Sequence, residues 1–230
     1  MVTQLGPGRP RLEPRRRAGQ TPRAEILDAA AELFTSHGYG NTSTRAVADA
    51  VGIRQASLYH HFAAKDDILD ALLAETVTTP LELAGILAGR PESAAVRLYA
   101  LAWHDVSQLC ASRWNLGALY LLPELRSERF ARFRERRDEL RGHYETLSAA
   151  VIAAAGSVIA EADAGAVAGA ELLPFRLVES VINMRSDEGA APQYAEQLIP
   201  DAILRLLCWP GSLTETRVAA LELARRLAPE

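Results

Sequence analysis

Residues 42–62 read TSTRAVADAVGIRQASLYHHF, and the spacing inside this stretch decides the fold. Thr42 fits the N-cap of a short helix, Val47 and Val51 stand four apart on one face, and Gly52 is placed to end it. A second short helix follows over RQASLYHH, where Leu58 and Phe62 repeat the four-residue spacing. Two short helices joined by a turn containing glycine make a helix-turn-helix, whose second helix is built to enter a major groove.

The sidedness of the second helix explains why four rings crowd its end. Leu58 and Phe62 face inward, while Arg54, Gln55 and Ser57 occupy the exposed N-terminal turn that meets base edges. Tyr59 and His60 follow, placed to reach flanking phosphates. His60 and His61 cannot share a metal, because adjacent helical residues point about 100° apart. With no Cys/His cluster elsewhere, no metal site is expected.

Upstream, Thr21 and Pro22 start a helix in which Ile26, Leu27, Ala30, Leu33 and Phe34 recur at helical spacing, and Gly38 stops it. Residues 1–20, rich in Pro, Gly and Arg, read as a disordered basic arm. Arg9, Arg11, Arg15, Arg16 and Arg17 could lie in a minor groove or simply solubilise the chain. Downstream, a fourth helix begins at AAKDDILDALLAE, and Pro80 either kinks it or starts its continuation. Pro80, Gly89 and Pro91 together suggest a junction, so the expected domains are 21–80, with the motif at 43–62, and 81–230. Beyond the junction the pattern predicts helices over 92–111, 113–121, 127–155, 161–186, 192–208 and 212–228. No segment reads as a strand, and the expected fold is all-α, with a small front unit and a larger helical back unit.

Charge separates the two parts. Residues 1–65 carry a net +4 and the remainder a net −8, within a whole-chain charge of −4. A basic front on an acidic body points to a polyanion met by the front alone. Lys65 is the only lysine in the chain. Just under half of the residues are hydrophobic, enough for a core, and no apolar run reaches the ~18 residues of a membrane span. The N-terminus lacks the apolar core of a secretory signal, so a cytoplasmic protein is expected. Cys110 and Cys208 read as small buried thiols, with a redox pair as the other reading.

The stretch TSTRAVADAVGIRQASLYHHFAAKDDILDALL resembles the DNA-binding domain of TetR-family transcriptional regulators, with AELFTSHGYGNTS before it also typical. The resemblance spans about residues 21–75. It implies that Thr42 and Thr44 cap the second helix and touch phosphate, and that Arg45 reaches the DNA backbone or a base. Gln55 and Ser57 would read base edges, Ala56 would make a close or thymine-methyl contact, and Tyr59, His60 and Lys65 would hold phosphates. Arg54 and Gln55 stand where many relatives carry Ser and Lys, so base preference does not transfer. By bidentate geometry Arg54 favours guanine and Gln55 adenine, each worth ~1–3 kcal/mol of discrimination.

The same resemblance implies a homodimer through about residues 161–208 on a pseudo-palindromic double-stranded operator, and a small-molecule effector held in the back unit. Gly165 and Gly169 would allow close helix contact, or merely pack within the chain. Candidate effector-lining groups are Trp103, His104, Trp114, Tyr120 and Asn183, since pockets combine aromatics with a few polar anchors. The expected function is a dimeric repressor released from its operator by an effector, with no cofactor. Three alternatives stay open: an activator, a constitutive architectural DNA binder, and a helical binding protein or enzyme with a vestigial helix-turn-helix. Against the enzyme stand the missing nucleophile elbow, paired His ligands and phosphate-binding glycine loop.

Overall fold

The computed structural model describes residues 21–156, 169–190 and 193–227; the basic arm at 1–20 and the segment carrying Gly165 lie outside them. Among the described residues there are nine α-helices and no strands. Packing divides the chain into two compact units between Ile68 and Leu69.

The first unit begins with α1 (Pro22–Ser36), where the Thr21 hydroxyl accepts from the Ala24 N–H at 3.2 Å and Pro22 opens the first turn. α2 (Thr44–Val51) ends at Gly52, whose φ of +76° suits a left-handed cap. α3 (Gln55–Tyr59) begins three residues after that glycine. Ile26, Leu27, Ala30 and Phe34 of α1, Val47 and Val51 of α2, and Leu58 and Phe62 are all buried. That is the one-sided pattern expected of a helix-turn-helix resting on a supporting helix. The Arg23 guanidinium lies 4.9 Å from the Phe62 ring centroid, adding a cation–π contact at the edge of this core.

α4 (Lys65–Ala88) runs unbroken through Pro80. The helix thus continues through Pro80, one of the two readings of that residue, and the division between the units falls earlier in the same helix, between Ile68 and Leu69. Length and composition alone would let α4 cross a membrane. Its buried Ile68, Leu69, Leu72, Leu73, Val77 and Leu87 instead mark the inner face of a core helix.

The second unit is organised around α5 (Ala94–Ala111), capped by Ser93. Leu98, Tyr99, Ala100, Leu101, Ala102 and Val106 are completely or almost completely buried, so α5 has little free face at its centre. It packs against α6 (Ala131–Ala154), α7 (Leu173–Glu188), α8 (Ala195–Leu206) and α9 (Leu213–Leu227). The apolar face of α6 is buried throughout: Phe133, Leu140, Tyr144, Leu147 and Val151. Two polar links cross this core. Tyr144 donates to Asp105 at 3.1 Å, and Tyr99 donates to Asp201, which also pairs with Arg217 at 2.6 Å.

Three boundaries differ from the periodicity. Residues 116–121 form a 3-10 segment, followed by two shorter ones at 123–126 and 128–130, instead of one α-helix over 113–121 and an early start to α6. The segment is held by the Asn115 amide, which donates to the Ile182 carbonyl at 2.8 Å and to Ser186 at 3.0 Å. It also approaches α7 so closely that a Cβ on Gly117 would fall 2.4 Å from Ile182. A 3-10 turn at 170–172 precedes α7, and Gly169 sits before it at φ +84° with open space around its Cβ position. Gly169 thus serves a turn here.

Candidate nucleic-acid interface and internal cavity

Because α2 and α3 bury Val47, Val51 and Leu58 against the same core, their remaining faces turn outward together. Three candidate DNA-contacting side chains meet there. The Gln55 amide nitrogen donates to Thr44 Oγ1 at 3.0 Å and to the Tyr59 hydroxyl at 3.3 Å, and those two oxygens lie 3.1 Å apart. All three bonds are exposed, so the cluster is pre-positioned and accessible. Bidentate reading of adenine needs both ends of the Gln55 amide, and the free protein already engages one of them. Arg54, Ala56 and His60 are exposed beside the cluster, and Ser57 is half-buried. Arg45 is exposed and stands 3.9 Å from Asp49, a weak pair that leaves the guanidinium available.

Two expectations change. Thr42 does not cap α2; Ser43 does, its hydroxyl accepting from the Ala46 N–H at 3.1 Å. Thr42 is buried instead, donating to the carbonyls of Gly38 at 2.9 Å and Leu33 at 3.3 Å, so its side chain cannot meet a phosphate. Thr44 is the first helical residue of α2 and not its cap. Lys65, for its part, is engaged within the protein. Its ammonium donates to the carbonyls of Tyr39 at 2.8 Å and Thr42 at 3.0 Å and lies over the Tyr39 ring at 4.1 Å. One of its three donors remains. Tyr39 in turn donates to Asp66, so the turn between α1 and α2 is tied to the start of α4 by two side chains.

In the second unit a cavity of about 630 Å³ lies among α4, α5, α7 and the 3-10 segment, within the size range of small-ligand sites. Trp103 and His104 line it, and with Thr79 they also line an adjoining cavity of about 450 Å³. The other three effector candidates do not reach either space. Tyr120 packs on Phe133 with ring centroids 5.6 Å apart beside a void of only about 10 Å³, and burial raises its hydroxyl well above the usual range. Trp114 stacks with Arg113 at 4.6 Å. Asn183 is exposed on α7. Aromatic type alone does not separate a cavity wall from core packing. Periodicity could have found Ser107 and Gln108, which lie three and four residues after His104 on the same helical face and line the larger cavity.

Most polar groups around that cavity are already engaged. Gln108 donates to the carbonyls of Glu75 at 3.0 Å and Thr76 at 3.2 Å, Thr76 donates to Leu73, and Ser112 donates to Trp114. Arg185 donates to the carbonyls of Leu109 and Ser112 at the end of α5. His104 Nε2 and Ser107 Oγ are buried without a partner among the described residues. Burial lowers the His104 pKa, favouring the neutral imidazole. The two cysteines are free and half-buried.

Residues 26–72 match the family model described as bacterial regulatory proteins, tetR family. Over 58 residues the chain is 47% identical to the HTH-type transcriptional repressor KstR2 of Mycobacterium tuberculosis, an alignment covering 24% of this chain and 29% of that protein. The E. coli regulator UidR is 34% identical over 56 residues, again 29% of its length. The alignments thus span less than a third of these curated relatives. The crystal structure of Mycobacterium smegmatis AmtR is similar over far more: 58% identity, 94% of this chain, 100% of that one, and a TM-score of 0.85. The M. tuberculosis KstR2 structure, at 20% identity and a TM-score of 0.63 over 84% of this chain and 97% of its own, shares the fold.

Proposed function

The chain belongs to the TetR family of bacterial transcriptional regulators, a class of DNA-binding proteins and not of enzymes, and from that premise we propose that it is a dimeric repressor released from its operator by a small-molecule effector. The observation that carries the DNA-binding part is the exposed Thr44–Gln55–Tyr59 cluster, held outward by a buried Val47, Val51, Leu58 and Phe62. Gln55 reads a base edge when its amide leaves this cluster, and Tyr59 and Thr44 turn their hydroxyls to phosphate. Arg45, Arg54, Ala56, Ser57 and His60 border the contact, and the third donor of Lys65 is available to a phosphate oxygen.

A single α3 covers too few base pairs for specificity, so two protomers act on half-sites ~34–36 Å apart or a multiple of that. Support for a dimer face within 161–208 comes from large apolar side chains left in solvent: Leu172, Leu173, Tyr194 at 74% exposure and Leu198 at 56%. The effector enters the cavity lined by Trp103 and His104, acts in the cytoplasm where the operator is, and favours one spacing of the recognition helices over the other. A coupling of ~1–3 kcal/mol changes operator affinity about 5- to 150-fold. α4, continuous through Pro80, carries the change between the units, so Pro80→Ala should blunt the response.

Titrating the protein into DNA from upstream of its own gene, with mobility shift and mass measurement of the complex, tests this reading. Two protomers per site and protection of a two-fold sequence are expected. A single protomer per site, or the same complex on unrelated DNA, would contradict it.

A further inference from the structure

α4 carries a buried proline in its interior, and the cost of that proline falls on one particular carbonyl. Pro80 has no N–H to donate to the carbonyl four residues earlier, that of Thr76, and a helical proline ring crowds the same oxygen. Thr76 is 6% exposed, so water is a poor substitute donor. The carbonyl is nevertheless served. The Gln108 amide nitrogen of α5 donates to it at 3.2 Å and, with its second hydrogen, to the neighbouring Glu75 carbonyl at 3.0 Å. Further along, Arg97 of α5 donates to the Leu87 and Ala88 carbonyls at the end of α4, both at 3.2 Å. α5 thus holds α4 at its end and at its break. Only the second hold lies in a cavity wall: Glu75, Thr76, Thr79 and Gln108 all line the cavity of about 630 Å³, and Arg97 lines neither that cavity nor the adjoining one.

Resting on the reading that α4 carries the effector's signal, we propose that Gln108 is the positioning residue of that helix: its side-chain amide stands in for the N–H that Pro80 lacks and holds α4 in the form that binds the operator. The chemistry is that of a compensated break. An interior proline weakens a helix because one carbonyl loses its donor, and the weakness is masked only while another donor reaches that carbonyl. Here the substitute comes from a different helix, so the integrity of α4 at Pro80 depends on where α5 places one amide. The bond from that amide to Glu75 is exposed, which puts the control point on the accessible wall of the cavity. This also gives a physical cause for the blunted response expected of Pro80→Ala. With a backbone donor restored, α4 no longer depends on the cavity wall.

The test is a double-mutant cycle on the full chain, without ligand. Gln108→Leu, of similar size, removes both side-chain bonds, and Pro80→Ala makes them redundant at Thr76. Amide hydrogen exchange in the α4 segment around Pro80 reads the break, and affinity for DNA from upstream of the chain's own gene reads its consequence. With Pro80 present, Gln108→Leu should speed exchange about tenfold and weaken DNA binding by a similar factor. In the Pro80→Ala background the same substitution should change either quantity by no more than about twofold. Equal effects of Gln108→Leu on exchange in the two backgrounds would overturn the proposal, because packing alone is indifferent to whether residue 80 carries an N–H. Should Gln108→Leu by itself fail to fold, the double variant decides: a folded double variant supports the proposal, and an unfolded one overturns it. The two readouts keep two failures apart. Uncoupled exchange sinks the role of Gln108 whatever the DNA shows. Coupled exchange with unmoved DNA affinity leaves Gln108 closing the gap at Pro80 and sinks the reading that α4 carries the signal.

Discussion

Asp105→Asn is expected to change how the stability of the second unit depends on pH. Asp105 lies inside α5 at 4% exposure, and its carboxylate accepts a hydrogen bond from Tyr144 at 3.1 Å. Burial pushes its pKa from 3.8 up to about 7; the Tyr144 bond and Arg137 oppose the rise, and Glu179 adds to it. Arg137 is itself paired with Glu179, so little of its charge is left to help. A raised carboxyl pKa means that the folded state holds a proton the unfolded chain has lost. This contribution to stability is complete below about pH 3.8 and is lost as pH rises to about 7. At ~1.4 kcal/mol per pH unit across that window, the loss is on the order of 4 kcal/mol. The Asn variant has no such proton and should lack this slope. Urea unfolding from about pH 4 to about pH 8, read by tryptophan fluorescence, isolates the second unit. The two proteins should be similar at the acid end, with the variant several kcal/mol more stable at the alkaline end. Parallel pH profiles would show that Asp105 does not carry this proton.

Lys65→Ala should lower the thermal stability of the first unit by ~1.5–3 kcal/mol through loss of the bonds to the Tyr39 and Thr42 carbonyls, measured by circular dichroism without DNA. If Lys65 also holds a phosphate, the salt dependence of operator binding should become shallower by about one unit. Gln55→Ala should cost ~1–3 kcal/mol of operator affinity and relax preference at one position per half-site, read by binding to a set of single-base operator variants; uniform weakening at all positions would rule out base reading. His104→Phe should reduce acid sensitivity. Its depressed pKa gives stability that is present above the usual histidine range and is lost as pH falls below it, and thermal midpoints at mildly acid pH should diverge least in the variant.

The helix-turn-helix is legible in the sequence because its four apolar anchors, Val47, Val51, Leu58 and Phe62, sit at helical spacing and are buried on one side only. Gly52 is legible as well, since the αL cap at φ +76° favours that residue. The cap of α2 falls one residue from its expected place because Thr42 and Ser43 are both good caps, and only packing sends Thr42 inward. Residues 116–121 escape the periodicity because apolar content does not distinguish a 3-10 segment pinned by Asn115 from an α-helix. Among the effector candidates, Trp103 and His104 line cavities while Trp114 and Tyr120 pack elsewhere, a difference set by contacts between distant segments. Lys65 stands out as the lone lysine, yet its bonds to two turn carbonyls depend on a fold that places residue 65 beside residues 39 and 42.

The proposed activity is sequence-specific DNA binding through α3. Its most direct test is fluorescence anisotropy with DNA from upstream of the chain's own gene and with scrambled DNA of the same length, across a salt series. An affinity ratio of ~10³ or more that survives moderate salt is expected, with a linear dependence of log affinity on log salt for both DNAs. Equal, weak and salt-labile binding to the two would contradict it.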